Sequence, residues 1–239
     1  MKIYEISGER LKRLTSLIQA LKISTIDRRI AFVGAGGKTT LMFALAEELC
    51  QRRKHVIVTT STHIREPEGF FLTDSDGAGV ESVWEKGKIA VLGTRAGEGK
   101  ISAPAQNFFE VMAKRADVVL VEADGSRGLP IKVPAVYEPV LSAQENLVVG
   151  VAGIDAWGQP LEKCCHRSEL AAAVLGKNLQ DKITADDFAK LLQSAQGMRK
   201  AVQCRFVPVL HKINTPEQMK QAKAVANCMG ERILAIGRG

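Results

Sequence analysis

A glycine-rich stretch that ends in lysine and threonine is the part of the sequence best suited to chemistry. Residues 34–39 read Gly-Ala-Gly-Gly-Lys-Thr, and a second threonine follows. Small residues let backbone N–H groups converge on an anion, a lysine can neutralise the β- and γ-phosphates of a nucleotide, and a hydroxyl can bind Mg²⁺. We therefore predict a phosphate-binding loop whose candidate ligands are Gly34, Ala35, Gly36, Gly37, Lys38, Thr39 and Thr40.

The setting of this loop distinguishes it from a dinucleotide fingerprint. The third glycine of Gly-x-Gly-x-x-Gly is replaced by Thr39, and the second predicted strand ends in residues 59–62, Thr-Thr-Ser-Thr, without an acidic residue for a ribose. Phe32 replaces the first glycine of the usual phosphate-loop pattern. This position ends a strand, so we expect the replacement to be tolerated.

Two carboxylates follow a later apolar run, and they are the natural partners of such a loop. In Val-Val-Leu-Val-Glu-Ala-Asp-Gly, Glu122 and Asp124 lie two residues apart and so share one face of a strand end. Carboxylates at this edge can bind Mg²⁺ directly or through water. We predict Thr39, Glu122 and Asp124 as metal ligands and Lys38, Glu122 and Asp124 as catalytic residues. An ordinary solvated Asp-Gly turn is the alternative.

Other polar groups near the predicted strand ends leave alternatives open. The hydroxyls of residues 59–62 could orient a metal-bound water or a substrate phosphate, or they could be strand and turn residues. Arg127 and Lys132 could contact an anionic substrate, although loop cations are commonly solvated. His166 and Arg167 follow two cysteines, but a second Cys/His pair at zinc-finger spacing is missing. We do not predict zinc.

A late loop resembles the base-recognition loop of GTPases, Asn-Lys-x-Asp. Here the four residues are His211, Lys212, Ile213 and Asn214. The Lys212 stem could pack along a purine. An Asn214 amide in place of a carboxylate weakens any preference for guanine. The sequence therefore leaves the base open, and the expected ligand is ATP or GTP with Mg²⁺.

The elements around these residues alternate between strands and helices, which is typical of an α/β fold with a mostly parallel sheet. Strands are predicted at residues 29–33, 55–61, 88–94, 117–125, 146–155, 205–214 and 232–237, and helices at 8–22, 39–52, 105–115, 167–176, 184–197 and from 215 onward. Residues 66–79 are predicted as a loop. We expect a single nucleotide-binding domain over residues 1–239, with a small helical subdomain at about residues 155–204.

Composition narrows the remaining classes. The chain has 239 residues, 46% hydrophobic and 25% charged, which is ordinary for a globular protein. A net charge of +7 permits an acidic partner, but the basic residues are scattered and only 5% of residues are aromatic, which argues against nucleic acid. The sequence has no apolar run long enough to cross a membrane, and its N-terminal stretch lacks the apolar segment of a signal peptide. The five cysteines form no disulfide pattern, so we expect a cytoplasmic protein with reduced thiols.

Taken together, the motifs resemble one known family. The stretches VGAGGKTTL, VTTST and LVEADGSRGLPIK, the pair His166-Arg167 and the late LHKIN occur in the order and spacing of the YqeC family. The resemblance implies a nucleotide-binding accessory protein that helps to mature a selenium-dependent molybdenum hydroxylase, with that enzyme or its cofactor as partner. A slow NTPase is the first hypothesis. A small-molecule kinase or nucleotidyl transferase and a non-catalytic nucleotide-switched scaffold are the alternatives.

Overall fold

A computed structural model describes residues 1–66, 71–73, 77–97 and 99–238, and for residues 71–73 it describes the backbone only. The strands are β1 (Lys2–Ser7), β2 (Arg10–Leu14), β3 (Arg29–Gly34), β4 (Val56–Thr60), β5 (His63–Arg65), β6 (Phe71–Thr73), β7 (Ala90–Leu92), β8 (Thr94–Arg95), β9 (Lys100–Ser102), β10 (Val118–Glu122), β11 (Ile131–Lys132), β12 (Leu147–Gly153), β13 (Cys165–His166), β14 (Arg205–His211) and β15 (Ile233–Gly237). The α-helices are α1 (Leu17–Ala20), α2 (Lys38–Gln51), α3 (Gly77–Glu85), α4 (Gln106–Arg115), α5 (Leu161–Cys164), α6 (Ser168–Leu175), α7 (Ala185–Gln193) and α8 (Pro216–Met229).

A large twisted sheet forms the centre of the protein. Its strand order is β2-β1-β15-β14-β12-β3-β10-β4-β7-β6. The strands from β15 to β6 pair in parallel, while β1 and β2 are antiparallel at one edge. The predicted class, α/β with a mostly parallel sheet flanked by helices, is confirmed.

Strand β3 shows how the sheet sorts its side chains. Ala31 and Val33 belong to the core beneath α5 to α8, while Ile30 and Phe32 belong to the opposite core with α2. Because successive side chains of a strand point to opposite faces, a continuous apolar run is what a sheet covered on both faces requires. Phe32 is fully buried. Its side chain therefore fills the core under α2.

The N-terminal segment corrects one prediction. The helix predicted at residues 8–22 is wrong: the chain forms the hairpin of β1 and β2 and then the single-turn helix α1. Strand β1 pairs with β15, with Lys2 opposite Gly237, and its Ile3 and Ile6 are buried. Covering the edge of β15 satisfies its backbone groups, and this long-range pairing outweighs the local helical spacing.

Two other segments bear on the predicted boundaries. The loop predicted at residues 66–79 lies partly outside the described residues, and its described parts contain β6 and the start of α3. Helices α5, α6 and α7 share one hydrophobic cluster with the central strands. The helical subdomain at residues 155–204 stays a prediction. No helix in the described part of the chain has the length and apolar character that crossing a bilayer requires.

Candidate functional site

The glycine loop, residues 34–39, connects β3 to α2 at the carboxyl edge of the sheet. Gly34, Gly36 and Gly37 have φ values of 95°, 78° and 137°, which favour glycine. A Cβ on Gly37 would lie 1.9 Å from His211 Nδ1, and one on Gly36 would lie 2.6 Å from the Pro130 carbonyl oxygen. The loop therefore needs small residues both for its backbone shape and for its close contacts.

Lys38 is the first residue of α2, and its side chain turns back over the loop. Its Nζ donates to the Gly34 carbonyl at 2.6 Å and lies 3.0 Å from Asp124 Oδ1 and 3.6 Å from Glu122 Oε1. Only 3% of the residue is exposed. The sequence placed this lysine and these two carboxylates in one site, and the structure brings them together.

Thr39 and Glu122 form the part of the site best suited to a divalent cation. Thr39 Oγ1 donates to Glu122 Oε2 at 2.6 Å, at the N-terminus of a 14-residue helix. Burial raises the pKa of Glu122, and the nearby charge of Lys38 and the Thr39 hydroxyl oppose that rise. A hydroxyl and a carboxylate beside a phosphate-binding loop match the oxygen ligands that Mg²⁺ takes together with phosphate and water.

Asp124 is engaged mainly with the protein itself. Its Oδ2 accepts from the Gly34 backbone N–H at 3.0 Å and lies 3.2 Å from Lys132 Nζ, while Oδ1 faces Lys38. These contacts fix the start of the glycine loop. The geometry favours Glu122 over Asp124 as the metal-binding carboxylate, and both metal assignments stay predictions.

A buried chain of charges extends from Asp124 to the far side of the site. Lys132 is fully buried and donates to the Gly125 carbonyl and to Glu138 Oε2, both at 2.6 Å. Arg167 holds the same carboxylate through two bonds of 2.7 and 3.1 Å. Although burial raises the pKa of Glu138, the hydrogen bonds from Arg167 and Lys132 outweigh it and lower that pKa to about 2. Sequence reasoning missed Glu138, whose only signal was an acidic residue close to Lys132.

Part of this region lines a cleft of about 1290 Å³. The lining includes residues 36–39 of the glycine loop, Thr40 and Glu122, together with Arg127, His166 and Arg167, which we call the basic wall. Burial and then the charges of Arg167, Lys132 and Arg127 lower the pKa of His166. The cations Arg127 and Arg167 of the basic wall thus act on His166, against the charge of Glu138.

The hydroxyl run at residues 59–62 divides between structure and cleft. Thr59 Oγ1 donates to the Leu92 carbonyl at 2.8 Å, and Thr60 Oγ1 donates to the Glu122 carbonyl at 3.0 Å. Both bonds tie strand ends together. Ser61 and Thr62 line the cleft. Of the two alternatives, the bonds support a structural role for the first two threonines.

The late loop lies on the flank of the glycine loop. His211 Nδ1 is 2.9 Å from the Gly36 carbonyl oxygen, and burial lowers its pKa. Lys212 lines the cleft and donates to Asp155 Oδ2 at 2.6 Å. Asp155, which follows β12, thus places a carboxylate beside Lys212. Sequence reasoning missed this residue because the pairing joins the ends of two strands.

The adjacent cysteines, Cys164 and Cys165, are buried, and burial disfavours the thiolate form that binds metals. Burial raises the pKa of Cys164 to about 11 and that of Cys165 to about 12. Both are free thiols. Within the described residues, no group of three or more His, Cys, Asp or Glu side chains is arranged to hold a metal ion. A Mg²⁺ ion bound through one carboxylate, one hydroxyl and phosphate oxygens does not require such a group.

Known proteins match this chain over the region that carries the motifs of the site. The family model described as "YqeC protein" matches residues 30–169, which include the glycine loop, Glu122, Asp124 and the basic wall. The chain is also 30% identical over 197 residues to a protein of Escherichia coli (strain K12) named "Uncharacterized protein YqeC", across 79% of this chain and 77% of that protein. The chain belongs to the YqeC family.

Proposed function

We propose that this chain is a Mg²⁺-dependent nucleotide-binding protein that hydrolyses its ligand, ATP or GTP, slowly. The observation that carries the proposal is the arrangement of Lys38, Thr39 and Glu122 at the start of α2, beneath a loop whose glycines adopt left-handed conformations. A helix N-terminus with convergent backbone N–H groups favours phosphate.

Different residues of the site would contact the phosphates, position the loop and hold Mg²⁺. Lys38 Nζ would leave the Gly34 carbonyl to contact the phosphates, while Asp124 keeps the loop in place through the Gly34 N–H. Thr39 and Glu122 would hold Mg²⁺, which when bound supplies positive charge to the phosphate oxygens. As the alternative to metal binding, Glu122 would accept a proton from an attacking water.

The cellular role extends this proposal. From the resemblance of the motifs, we propose action as a maturation factor for a selenium-dependent molybdenum hydroxylase, with that enzyme or its cofactor as partner. A cytoplasmic location is proposed as well, because the five cysteines are free thiols, as is usual in a reducing compartment.

Thermal unfolding with ATP or GTP, with and without Mg²⁺, tests the binding. A nucleotide at about 100 times its Kd should stabilise the fold by about 2.7 kcal/mol, and Mg²⁺ should strengthen the effect. Lys38→Ala should lose the response, while Lys54→Ala, at an exposed ion pair with Asp117, should keep it. If neither nucleotide shifts the wild type, or if Lys38→Ala responds equally, the proposal is wrong.

A second candidate function is phosphoryl or nucleotidyl transfer to a small anionic acceptor. The cleft of about 1290 Å³ exceeds the roughly 300–1,000 Å³ of most ligand pockets, and both the basic wall and the glycine loop line it. Turnover that requires an acceptor would favour transfer. Turnover without an acceptor would favour hydrolysis, and nucleotide-dependent binding of a client without turnover would indicate a scaffold.

A further inference from the structure

The loop between β11 and β12 places an aromatic ring at the cleft. Tyr137 lines the cleft, and 75% of the residue is exposed. The Cζ of Arg167, a member of the basic wall, lies 5.9 Å from the centre of the Tyr137 ring. Tyrosine rings and arginine planes are the surfaces on which planar ligand rings stack. Tyr137 is therefore a candidate stacking surface that belongs to neither the glycine loop nor the candidate metal ligands.

The backbone beneath Tyr137 is fixed although the side chain is exposed. Lys200 Nζ donates to the carbonyls of Ala135 and Val136, the second at 3.0 Å. The Glu138 backbone N–H donates to the Ala135 carbonyl at 3.0 Å and closes a turn that contains Tyr137. A ring on a fixed backbone loses little conformational entropy when a ligand stacks on it. The turn thus holds Tyr137 at the cleft before a ligand arrives.

Both arginines of the basic wall have left-handed backbone conformations, with φ values of 51° at Arg127 and 64° at Arg167. Residues with a side chain rarely adopt a positive φ, and such strained positions concentrate at ligand sites. Arg167 is paired with Glu138, whereas Arg127 is exposed and pairs with no carboxylate within the described residues. The charge of Arg127 also acts on His166. Arg127 is thus close to the rest of the basic wall, and its charge is unpaired.

The chemistry of these groups indicates a ligand with two parts. An anion beside Arg127 would compensate its charge, and a phosphate offers several oxygens to which guanidinium groups bind through paired N–H donors. Because the Tyr137 ring lies beside Arg167, it suits a planar ring attached to the same phosphate. We propose that Arg127, Arg167 and Tyr137 form a wall subsite that binds a phosphate monoester carrying a planar ring.

The wall subsite and the glycine loop line one cleft but use different residues. Ion pairs run from Lys38 through Asp124, Lys132 and Glu138 to Arg167. The volume of about 1290 Å³ exceeds that of most ligand pockets, so a nucleotide and a second ligand can occupy the cleft together. The proposal deepens the second candidate function, because it names the chemical class of the acceptor. That role rests on the proposed nucleotide binding, whereas the binding of the monoester does not.

Saturation-transfer NMR titration of the full chain, without nucleotide, tests the binding. The probe is 1-naphthyl phosphate, and the controls are 1-naphthol, which lacks the phosphate, and cyclohexyl phosphate, whose ring is not planar. The Kd of 1-naphthyl phosphate should be at least tenfold lower than that of either control. No transfer to the probe, or a smaller difference from either control, would overturn the proposal.

Variants at exposed residues locate the binding. Tyr137→Leu should raise the Kd of 1-naphthyl phosphate about tenfold, while Val136→Ala, at the exposed neighbour outside the cleft lining, should leave it unchanged. Arg127→Gln should raise this Kd about tenfold as well. Arg53→Gln is the matched control, because Arg53 is also exposed, with a positive φ of 58°, but lies outside the lining. Unchanged binding in Tyr137→Leu or Arg127→Gln, or an equal loss in its control, would contradict the proposal.

A saturating ATP analogue that cannot be hydrolysed, added with Mg²⁺, separates the wall subsite from the glycine loop. The Kd of 1-naphthyl phosphate should stay within about twofold of its value without nucleotide. A larger, competitive rise would show that the two ligands share one site and would overturn the proposal. If no nucleotide binds the wild type, the function proposed above fails, and the titration without nucleotide still decides whether the wall subsite exists.

Discussion

The two walls of the cleft hold their cations in different ways. At the glycine loop, which we call the loop wall, Lys38 is 3% exposed and is enclosed by Asp124, Glu122 and the Gly34 carbonyl. On the basic wall, Arg167 pairs with Glu138 but keeps 19% of its side chain exposed, and Arg127 adjoins it along the cleft.

The loop wall is therefore suited to contact with the phosphates, and the basic wall to recognition of an anionic ligand. The buried Lys38 is held by two carboxylates and a carbonyl, and on ligand binding it would exchange the Gly34 carbonyl for phosphate oxygens. Arg167 is fixed by two hydrogen bonds to Glu138 and lines the cleft with part of its side chain exposed, where an anion can reach it. Lys132 connects the walls, because it contacts both Asp124 and Glu138. The following predictions test whether the walls are coupled and which one binds the nucleotide.

The largest effect on stability is expected from removing the charge of Lys132, which connects the two walls. Lys132→Met removes a buried cation and leaves Asp124 and Glu138 with fewer partners, so the free energy of unfolding should fall by about 3–5 kcal/mol. Urea unfolding measures this change. Lys54→Met, which removes an exposed pair with Asp117, should cost less than about 1 kcal/mol. Similar costs for the two variants would contradict a buried connection.

Gly37→Ala should damage the loop wall alone. The new Cβ would lie 1.9 Å from His211 Nδ1 at a φ of 137°, so the loop must shift and nucleotide affinity should fall about 100-fold, or about 2.7 kcal/mol. Isothermal titration calorimetry measures it. Gly87→Ala is the matched control, since Gly87 also has a positive φ but no atom near its Cβ. Wild-type affinity in Gly37→Ala would argue that the nucleotide binds elsewhere.

Thr39→Val should remove the Mg²⁺-dependent part of nucleotide affinity, about tenfold, because the hydroxyl beside Glu122 is lost. The measurement is the ratio of Kd values with and without Mg²⁺. Thr40→Val changes the neighbouring exposed hydroxyl and should leave that ratio unchanged. A normal ratio in Thr39→Val would remove this residue from the metal site.

The pairing on the basic wall should give a pH dependence. Glu138 has a pKa of about 2 in the fold against 4.5 ordinarily, so the unfolded chain takes up a proton first as pH falls. The pair's contribution to stability should be complete above about pH 4.5 and decline as pH falls toward about 2. Denaturant unfolding at several pH values measures this decline. Glu138→Gln should have a flatter profile over that range, and an identical slope would contradict the pairing.

The smallest effect is expected on the preference for one nucleotide base over another. Asp155→Asn keeps the shape of the partner of Lys212 but removes its charge, and it should change the ratio of GTP to ATP affinity by about threefold. Competition binding between the two nucleotides measures this ratio. Asp181→Asn, at a carboxylate that accepts from the Asn178 backbone N–H and not from Lys212, is the control. An unchanged ratio would exclude the Lys212 and Asp155 pair from base recognition.

The sequence predicted what depends on local pattern. The spacing of residues 34–39 between an apolar run and a helical pattern gave the glycine loop, and the run before Glu122 gave β10. The capping boxes at Thr184 and Thr215 fix the starts of α7 and α8. Local patterns failed where a distant strand decided the outcome, as at residues 8–22, which form a hairpin beside β15.

The sequence by itself determined the loop with Lys38 and Thr39 through residues close together in the chain, and it determined the α/β class and the family through the order of patterns along the chain. Tertiary structure alone decided that Lys132 joins Asp124 to Glu138 and that Asp155 meets Lys212. These pairings depend on strand order. Strand order arises from burying the whole sheet on both faces, and no single segment encodes it.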